Sequence, residues 1–234
     1  MDWLERVVIW SALLGACIVV ERIDPLDPHR AVPVLARDAP WFLVYLAVAP
    51  LIARVGDLAV EAADAVPGPL AWTPVVVQAA IGLVVFDLVS YGLHRVMHRT
   101  RLWQLHRVHH GSTELTFWTA FRAHPVSALL THVVPLAVVA LLGVRDGALT
   151  AVVFVVFLVT LVGHAAVWLP PGLDRVLATP GYHRRHHDPD LAERNLVLLF
   201  PVIDRVFGTA AGAAPITGPA APHRSTATPG SRPH

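Results

Sequence analysis

The sequence predicts an all-α fold: a polytopic membrane helical bundle of about four to five spans with a cytoplasmic histidine-rich helical cap. Three observations support this prediction. Of the 234 residues, 55% are hydrophobic and only 15% are charged, a balance well to the apolar side of soluble domains. The apolar residues fall into long runs separated by short polar segments. The chain also has 14 histidines, and most of them lie in two short stretches.

The first two apolar runs are short for spanning helices, which need about 20 residues. Residues 7–20 form the first, which we interpret as a helix. A lipoprotein-type signal ending at Cys17 is the rival interpretation, but the preceding residues lack the positively charged region of exported precursors. Residues 21–39 mix Asp, Pro and Arg and are predicted to form a loop, and residues 41–53 form the second, equally marginal run.

The next three runs are long enough to cross a bilayer. Residues 70–93 need no help to span it. Residues 125–144 and 149–169 are joined by Arg145-Asp146-Gly147, which predicts a tight hairpin. We therefore predict one integral-membrane domain over residues 1–209. The tail, residues 210–234, is rich in Ala, Pro and Gly and is predicted to be disordered.

The arginines predict the orientation. Residues 94–110 contain four arginines and no acidic residue, and further arginines follow the hairpin. Cytoplasmic loops carry such an excess of positive charge, so both regions should lie in the cytoplasm. The exclusive use of Arg over Lys indicates a GC-rich bacterial genome. We therefore expect an integral protein of a bacterial inner membrane, with the histidines on the cytoplasmic side.

Charge and cysteine content exclude several classes of function. The formal net charge is only +1, so the chain lacks the basic field that nucleic-acid binding needs. Cys17 is the single cysteine, which excludes an intrachain disulfide and cysteine-based zinc or iron–sulfur sites. Any metal must therefore use other ligands.

Eight histidines have the spacing of metal ligands. The sequence "HRVMH" places His94 and His98 four residues apart, and "HRVHH" and "HRRHH" repeat one i, i+3, i+4 pattern, which we interpret as three imidazoles on one helical face. Crowded imidazoles repel when protonated, whereas neutral ring nitrogens can share a cation. Eight ligands exceed the four of a tetrahedral zinc, so the sequence predicts two ions. The two triplets are His106, His109 and His110, and His183, His186 and His187.

Asp87 continues the face of the first pair into the membrane, together with Tyr91. A carboxylate at this depth needs a partner and is usually functional. We favour an Asp87 that accepts the outer N–H of a metal-bound histidine and fixes its tautomer. The alternative is an Asp87 that bonds to Tyr or Arg elsewhere in the bundle.

The motif set resembles the fatty acid hydroxylase/sterol desaturase superfamily. The match covers residues 86–209 and rests on the three histidine motifs with "FDLVSYGLHRVMH", "LWQLHRVHHGS", "TAFRAHP" and "DRVFGT". The resemblance implies a non-haem di-iron centre, two iron ions with O2 as co-substrate, which hydroxylates or desaturates a lipid. It also implies two electrons from a ferredoxin or cytochrome-type donor with its reductase. The lipid can be a sterol, a fatty acyl chain or a carotenoid, and we expect it to enter sideways from the bilayer.

Carried across residue by residue, the resemblance makes the eight motif histidines ligands and adds His164 as a ninth. Members of the superfamily have an Asn two positions after this histidine, where this chain has Ala166. A second departure is Asn195-Leu196-Val197 where Asn-Tyr-Gly is common. Further candidates, for ligation or for support of the ligands, are His124, Asp87, Asp188, Asn195 and Asp204. His132, inside a predicted span, is expected to bond between helices.

A membrane transporter or binding protein for zinc or another divalent ion is the alternative function. Transporters place their sites near the bilayer midplane, whereas most of these histidines lie beyond the ends of the predicted spans. The position of the histidines therefore favours the oxygenase.

Overall fold

The computed structural model describes residues 15, 19, 31–65, 67–112, 115–165, 167, 169–170, 172–191 and 193–212. These residues contain seven α-helices and several short 3₁₀ helices but no β-strand, which confirms the all-α class. Three helices are long and apolar enough to cross a membrane, and a fourth is shorter. Apart from residues 15 and 19, the predicted run 7–20 lies outside the described residues, as do residues 213–234.

The first long helix, α1 (Ala31–Asp64), has 34 residues and corrects the predicted loop at its start. It includes residues 31–39, which the sequence predicts as part of that loop, and it extends the predicted run 41–53 to residue 64. Within residues 31–39 the buried carboxylate of Asp38 is paired with Arg122, far along the chain, and with the neighbouring Arg37. Pro40 and Pro50 lie within the helix.

The second long helix, α2 (Val75–Arg99), is shifted along the chain relative to the predicted run 70–93. Residues 70–73 form a turn in which the Thr73 N–H donates to the Leu70 carbonyl (2.9 Å). Beyond residue 93 the helix continues for two turns, and these turns carry the first pair of histidines.

The predicted hairpin is present, formed by α4 (Pro125–Leu141) and α5 (Asp146–His164). Its turn contains Gly143 with a φ of 89°, a conformation that glycine adopts without strain. The connection between α1 and α2 lies against this turn, since a Cβ on Gly68 would lie 2.3 Å from the backbone nitrogen of Gly143.

The four long helices alternate in direction. Asp38, near the start of α1, bonds to the segment before α4, and the Ala63 carbonyl, near the end of α1, accepts from Arg145 in the hairpin (2.9 Å). The ends of α2 and α5 that carry histidines therefore lie at one end of the bundle. The described residues within 100–124 and 165–212 cover this end, and we call them the cap. The side of the membrane that the cap faces stays a prediction.

The cap contains the remaining short helices: α3 (Trp103–His106), α6 (Pro180–His186) and α7 (Pro201–Val206). It packs on α2 through a buried cluster that includes Tyr91, Tyr182 and Ile203. The cap reaches into the predicted tail, because the backbone N–H of Ala211 donates to the Asn195 side chain (2.7 Å).

Candidate metal centre

Nine histidines converge beneath the cap in two groups, and they are the nine that the sequence predicts as ligands. Within each group the ligand nitrogens lie within 4.8 Å of one another. The groups adjoin, since the rings of His110 and His187 stack with their centroids 4.5 Å apart. The five-histidine group consists of His94, His98, His106, His110 and His186, and the four-histidine group of His109, His164, His183 and His187.

Each HxxHH triplet divides between the two groups, an arrangement that the sequence analysis did not predict. In the triplet at 106–110, the outer histidines join the five-histidine group and His109 joins the other. In the triplet at 183–187 the assignment is reversed, and His186 joins the five-histidine group. The physical reason is that adjacent helical residues differ by about 100° in direction. One HxxHH triplet can therefore reach two adjacent ions.

Backbone carbonyls fix the tautomer of two rings in the five-histidine group. The Nδ1–H of His94 donates to the Leu196 carbonyl (2.7 Å), and that of His186 donates to the Arg194 carbonyl (2.8 Å). A carbonyl only accepts, so the proton sits on Nδ1 and Nε2 carries a lone pair. The Nε2 of His186 is buried without a hydrogen-bond partner among the described atoms.

The four-histidine group gives the clearest indication of a cation. The Nδ1–H of His164 donates to the Thr160 carbonyl (2.7 Å), and that of His109 donates to the Arg122 carbonyl (3.2 Å). Both Nε2 atoms therefore carry lone pairs, yet they lie 3.2 Å apart. Two lone pairs at this distance repel unless a cation lies between them, so the donor set fits a metal ion.

Burial keeps the rings of the cap in the form that binds metal. It lowers the pKa of six imidazoles, and the charge of neighbouring histidines lowers each pKa further. Neutral imidazole is the ligand form, so these rings are ready to bind a metal at neutral pH. The six are His106, His109, His110, His183, His186 and His187.

Asp87 contacts no histidine in the described structure, which corrects the predicted carboxylate–histidine bond. Its carboxylate accepts three backbone N–H groups, at residues 198–200 (2.7–3.1 Å). Asp204 accepts the two preceding N–H groups, at residues 196 and 197 (3.0 and 3.1 Å). The two carboxylates thus hold the segment whose Leu196 carbonyl orients His94, and they support the five-histidine group through the backbone.

Asn195 also has a structural role in this segment. Its φ of 55° lies in the left-handed region, which Asn tolerates better than most residues. Its side-chain amide donates to the carbonyls of Tyr182 (3.0 Å) and Gly212 (2.6 Å). Asn195 therefore ties α6 to the end of the cap.

Three other polar residues from the sequence analysis lie outside both groups. Asp188 accepts the N–H of Asp190 (3.1 Å) and closes a turn after α6. His124 precedes α4 and accepts the N–H of Val126 (3.2 Å), so it caps that helix. His132 donates to the Ala128 carbonyl in its own helix (2.7 Å), which corrects the predicted bond between helices.

Sequence reasoning missed Asp38 and Arg122, which form a buried ion pair (3.2 Å) beside His109. Arg122 had a signal, because it lies in the "TAFRAHP" motif. Asp38 had no such signal, because residues 21–39 were predicted to form a loop and its partner Arg122 is distant in sequence.

A cleft of about 420 Å³ opens toward the five-histidine group. His98 and Trp103 line it together with residues 189–191, 193 and 194. Its size falls within the range of small-molecule sites, about 300–1,000 Å³. A much smaller cavity, of about 10 Å³, touches His164 and His183 between α5 and the cap.

Known proteins with similar sequences are consistent with this site. Ornithine lipid hydroxylase OlsE of Rhizobium tropici is 31% identical over 124 residues, which cover 52% of this chain and 38% of the relative. Very-long-chain aldehyde decarbonylase GL1-6 of Oryza sativa subsp. indica is 28% identical over 147 residues, 57% of this chain and 23% of the relative. The chain thus spans well under half the length of these relatives. No solved structure matches it.

The model of the fatty acid hydroxylase family matches residues 79–209. This range is more than half of the chain, and it contains all nine histidines of the two groups. The resemblance inferred from the motifs is confirmed, and the protein belongs to the fatty acid hydroxylase family.

Proposed function

We propose that this protein is a membrane-bound non-haem di-iron oxidoreductase that uses O2 and two electrons to hydroxylate or desaturate a C–H site of a lipid. The observation that supports this proposal most strongly is the pair of adjoining histidine groups, with buried Nε2 lone pairs that face one another. Imidazole ligands suit iron, copper and zinc alike, so the choice of iron rests on further arguments.

The number and position of the ligands favour iron over the zinc transporter. One group offers five imidazoles, which is more than a tetrahedral zinc site uses. The groups also lie at the ends of α2 and α5 and under the cap, whereas transporter sites lie near the bilayer midplane. Histidines anchored on backbone carbonyls suit a resident cofactor better than an ion in transit.

The side chains of this protein would hold and shield the metals. The nine histidines of the two groups would bind two irons, and the iron pair, once reduced, would activate O2 toward an aliphatic C–H bond. His106, His164, His183 and His186 are each at most 9% exposed, so the fold keeps water away from these four ligands. The backbone bonds to Nδ1 hold each anchored ring with Nε2 toward the metal position.

A lipid substrate is supported by the family and by the names of the relatives, one of which hydroxylates ornithine lipid. This relative favours hydroxylation over desaturation. Exposed apolar side chains cover the outer faces of the long helices, for example Leu43, Val76 and Val84, and a lipid can approach along them. We propose that the substrate reaches the histidines from the bilayer.

The reaction requires an electron donor. Hydroxylation by O2 places one oxygen atom in the product and reduces the other to water, which takes two electrons and two protons. We propose a ferredoxin or cytochrome-type protein with its reductase as donor. We also propose that the cap faces the cytoplasm of a bacterial inner membrane, as the arginines indicate.

Metal analysis and lipid profiling test the proposal together. The purified full chain should hold close to two irons, and a deletion strain should lack one lipid species that differs from its precursor by one added oxygen atom or by the loss of two hydrogens. Growth under ¹⁸O2 should place the label in that species if the lipid is hydroxylated and in water alone if it is desaturated. Zinc instead of iron, with unchanged lipids and altered zinc uptake in the deletion strain, would favour the transporter and contradict the oxygenase.

A further inference from the structure

A buried ion pair outside the histidine groups links α1 to the cap. Asp38 is fully buried, and its carboxylate accepts from the guanidinium groups of Arg122 (3.2 Å) and Arg37 (2.9 and 3.0 Å). The hydroxyl groups of Ser112 (3.3 Å) and Thr119 (3.2 Å) donate to the same carboxylate. Asp38 therefore bonds to two segments of the cap, one that ends at Ser112 and one that contains Thr119.

Arg122 connects this pair to His109 through two bonds. Its Nε–H donates to the carbonyl of Val108 (2.8 Å), the residue before His109. Its own carbonyl accepts the Nδ1–H of His109 (3.2 Å). The guanidinium group also lies over Gly111, where an added Cβ would come within 2.8 Å of Nη2. Arg122 thus holds the backbone on both sides of His109 and the ring itself.

His109 needs such support more than His164 does. It begins a three-residue 3₁₀ helix, His109–Gly111, so no long helix fixes its direction, whereas His164 ends a 19-residue helix and donates back into it. His106 and His110, the other histidines of its triplet, belong to the five-histidine group, whereas His109 belongs to the four-histidine group. A small rotation of this turn would move Nε2 away from the four-histidine group.

We propose that Asp38 and Arg122 are positioning residues that orient His109 toward the metal of the four-histidine group. The inference rests on the proposed metal centre and assigns the pair a role beyond joining α1 to the cap. Among the described hydrogen bonds, the pair bonds to a metal-binding histidine only at His109, so its loss should weaken the ion of the four-histidine group selectively. A purely structural pair would weaken both ions in step with the stability of the fold.

Stepwise Co²⁺ titration of the metal-free full chain in lipid nanodiscs tests this inference, with absorption and metal analysis as readouts. The variants are Asp38→Asn and Asp38→Asn/Arg122→Gln, and the double variant removes one buried charge of each sign. Arg37, the other guanidinium that contacts Asp38, is 30% exposed, so water can solvate it. Arg54→Gln is the matched control, because it removes an exposed ion pair (Arg54–Glu61, 3.2 Å) from the same helix. Thermal midpoints of the metal-free proteins are measured in parallel.

We expect two Co²⁺ per wild-type chain and per control chain. In the Asp38 variants one ion should bind as in wild type and the other about 10–100-fold more weakly, which is the usual cost of losing a group that orients a ligand. Two ions bound as in wild type, or both weakened equally, would overturn the inference. If Asp38→Asn does not fold, the double variant decides. A wild-type chain that binds no Co²⁺ would instead contradict the proposed function.

Discussion

The two histidine groups are built from the same ligand type but are held in place differently. In the five-histidine group, His94 and His186 are oriented by carbonyls of an irregular segment, residues 194–196. In the four-histidine group, His164 is oriented by a carbonyl of its own helix and His109 by the carbonyl of Arg122. One group therefore depends on a loop, and the other on a helix and a buried ion pair.

An irregular segment holds ligands only if its own backbone groups are satisfied. Asp87 and Asp204 meet this need by accepting five consecutive N–H groups, at residues 196–200. Asp87 lies on α2, more than 100 residues before the segment that it holds. The comparison shows that buried carboxylates can organise a histidine centre without bonding to a histidine. Different substitutions should therefore weaken metal binding in each group.

The largest effect should come from removing an anchored ligand from either group. His186→Ala and His109→Ala should each abolish lipid oxidation and reduce bound iron from about two to about one per chain, because each ring belongs to a different group. Iron content of the purified variants and product formation with O2 are the measurements. His132→Ala, which changes a histidine outside both groups, should keep both irons. Full activity in either ligand variant would refute the assignment.

The next effect distinguishes the five-histidine group, which residues 194–196 orient, from the four-histidine group. Asp87→Asn removes the charge that three buried N–H groups share, and bonds to charged groups contribute about 1.5–3 kcal/mol each. Since Asn retains one acceptor oxygen, we expect a loss of about 2–4 kcal/mol in the free energy of unfolding. The ion of the five-histidine group should be lost first. Stepwise metal titration and thermal midpoints measure both quantities.

A destabilising change at the opposite end of the bundle is the control for Asp87→Asn. Gly68→Ala places a Cβ 2.3 Å from the backbone of the hairpin, and overpacking of this kind costs about 1–3 kcal/mol. It should lower the thermal midpoint without favouring either ion. If Gly68→Ala and Asp87→Asn affect the two ions alike, Asp87 has no specific link to the five-histidine group.

The sequence predicted the fold well where the relevant forces are local. Apolar runs report burial in lipid directly, so the helices over residues 75–99 and the hairpin of α4 and α5 follow from them. The prediction failed at residues 31–39, where a charged stretch reads as loop. Its helix is stabilised by the Asp38–Arg122 pair, and a contact between residues 84 positions apart leaves no local signal.

The features of the site also fall into those that local sequence predicts and those that depend on distant contacts. The spacing of the histidines identified eight of the nine residues in the two groups, because i, i+3 and i+4 neighbours lie close on a helix whatever surrounds it. His164 was identified by the family resemblance and not by its spacing. The division of each triplet between two groups could not be predicted, since it depends on where α5 and α6 bring His164 and His183. The role of Asp87 was misread because its partners are backbone N–H groups, which no sequence pattern marks.

A smaller effect concerns Asp204, the second carboxylate that holds the irregular segment over residues 196–200. The hydroxyl of Tyr182 donates to Asp204 (2.9 Å), and Tyr182→Phe should cost about 1.5 kcal/mol, the low end for a bond to a charged group, because Asp204 keeps its other donors. Burial raises the pKa of Tyr182 above its usual value, and the charge of Asp204 raises it further. The folded state thus keeps the proton, and the difference from wild type should be constant from neutral pH up to a pH of about 10. Thermal midpoints at several pH values measure it, and both ions should remain bound.

The smallest effect concerns the ion pair between Arg99 and Glu193 (3.0 Å), which joins the end of α2 to the cap beside the five-histidine group. Both side chains are at least half exposed, so water and salt screen them, and exposed pairs contribute about 0.2–1 kcal/mol. Arg99→Gln should therefore change the thermal midpoint little and leave both ions bound. A selective loss of the five-histidine ion in this variant would show that surface charge, and not the buried carboxylates, holds the cap on the histidines. The expected contrast with Asp87→Asn follows from burial, because only the buried carboxylate holds N–H groups that water cannot reach.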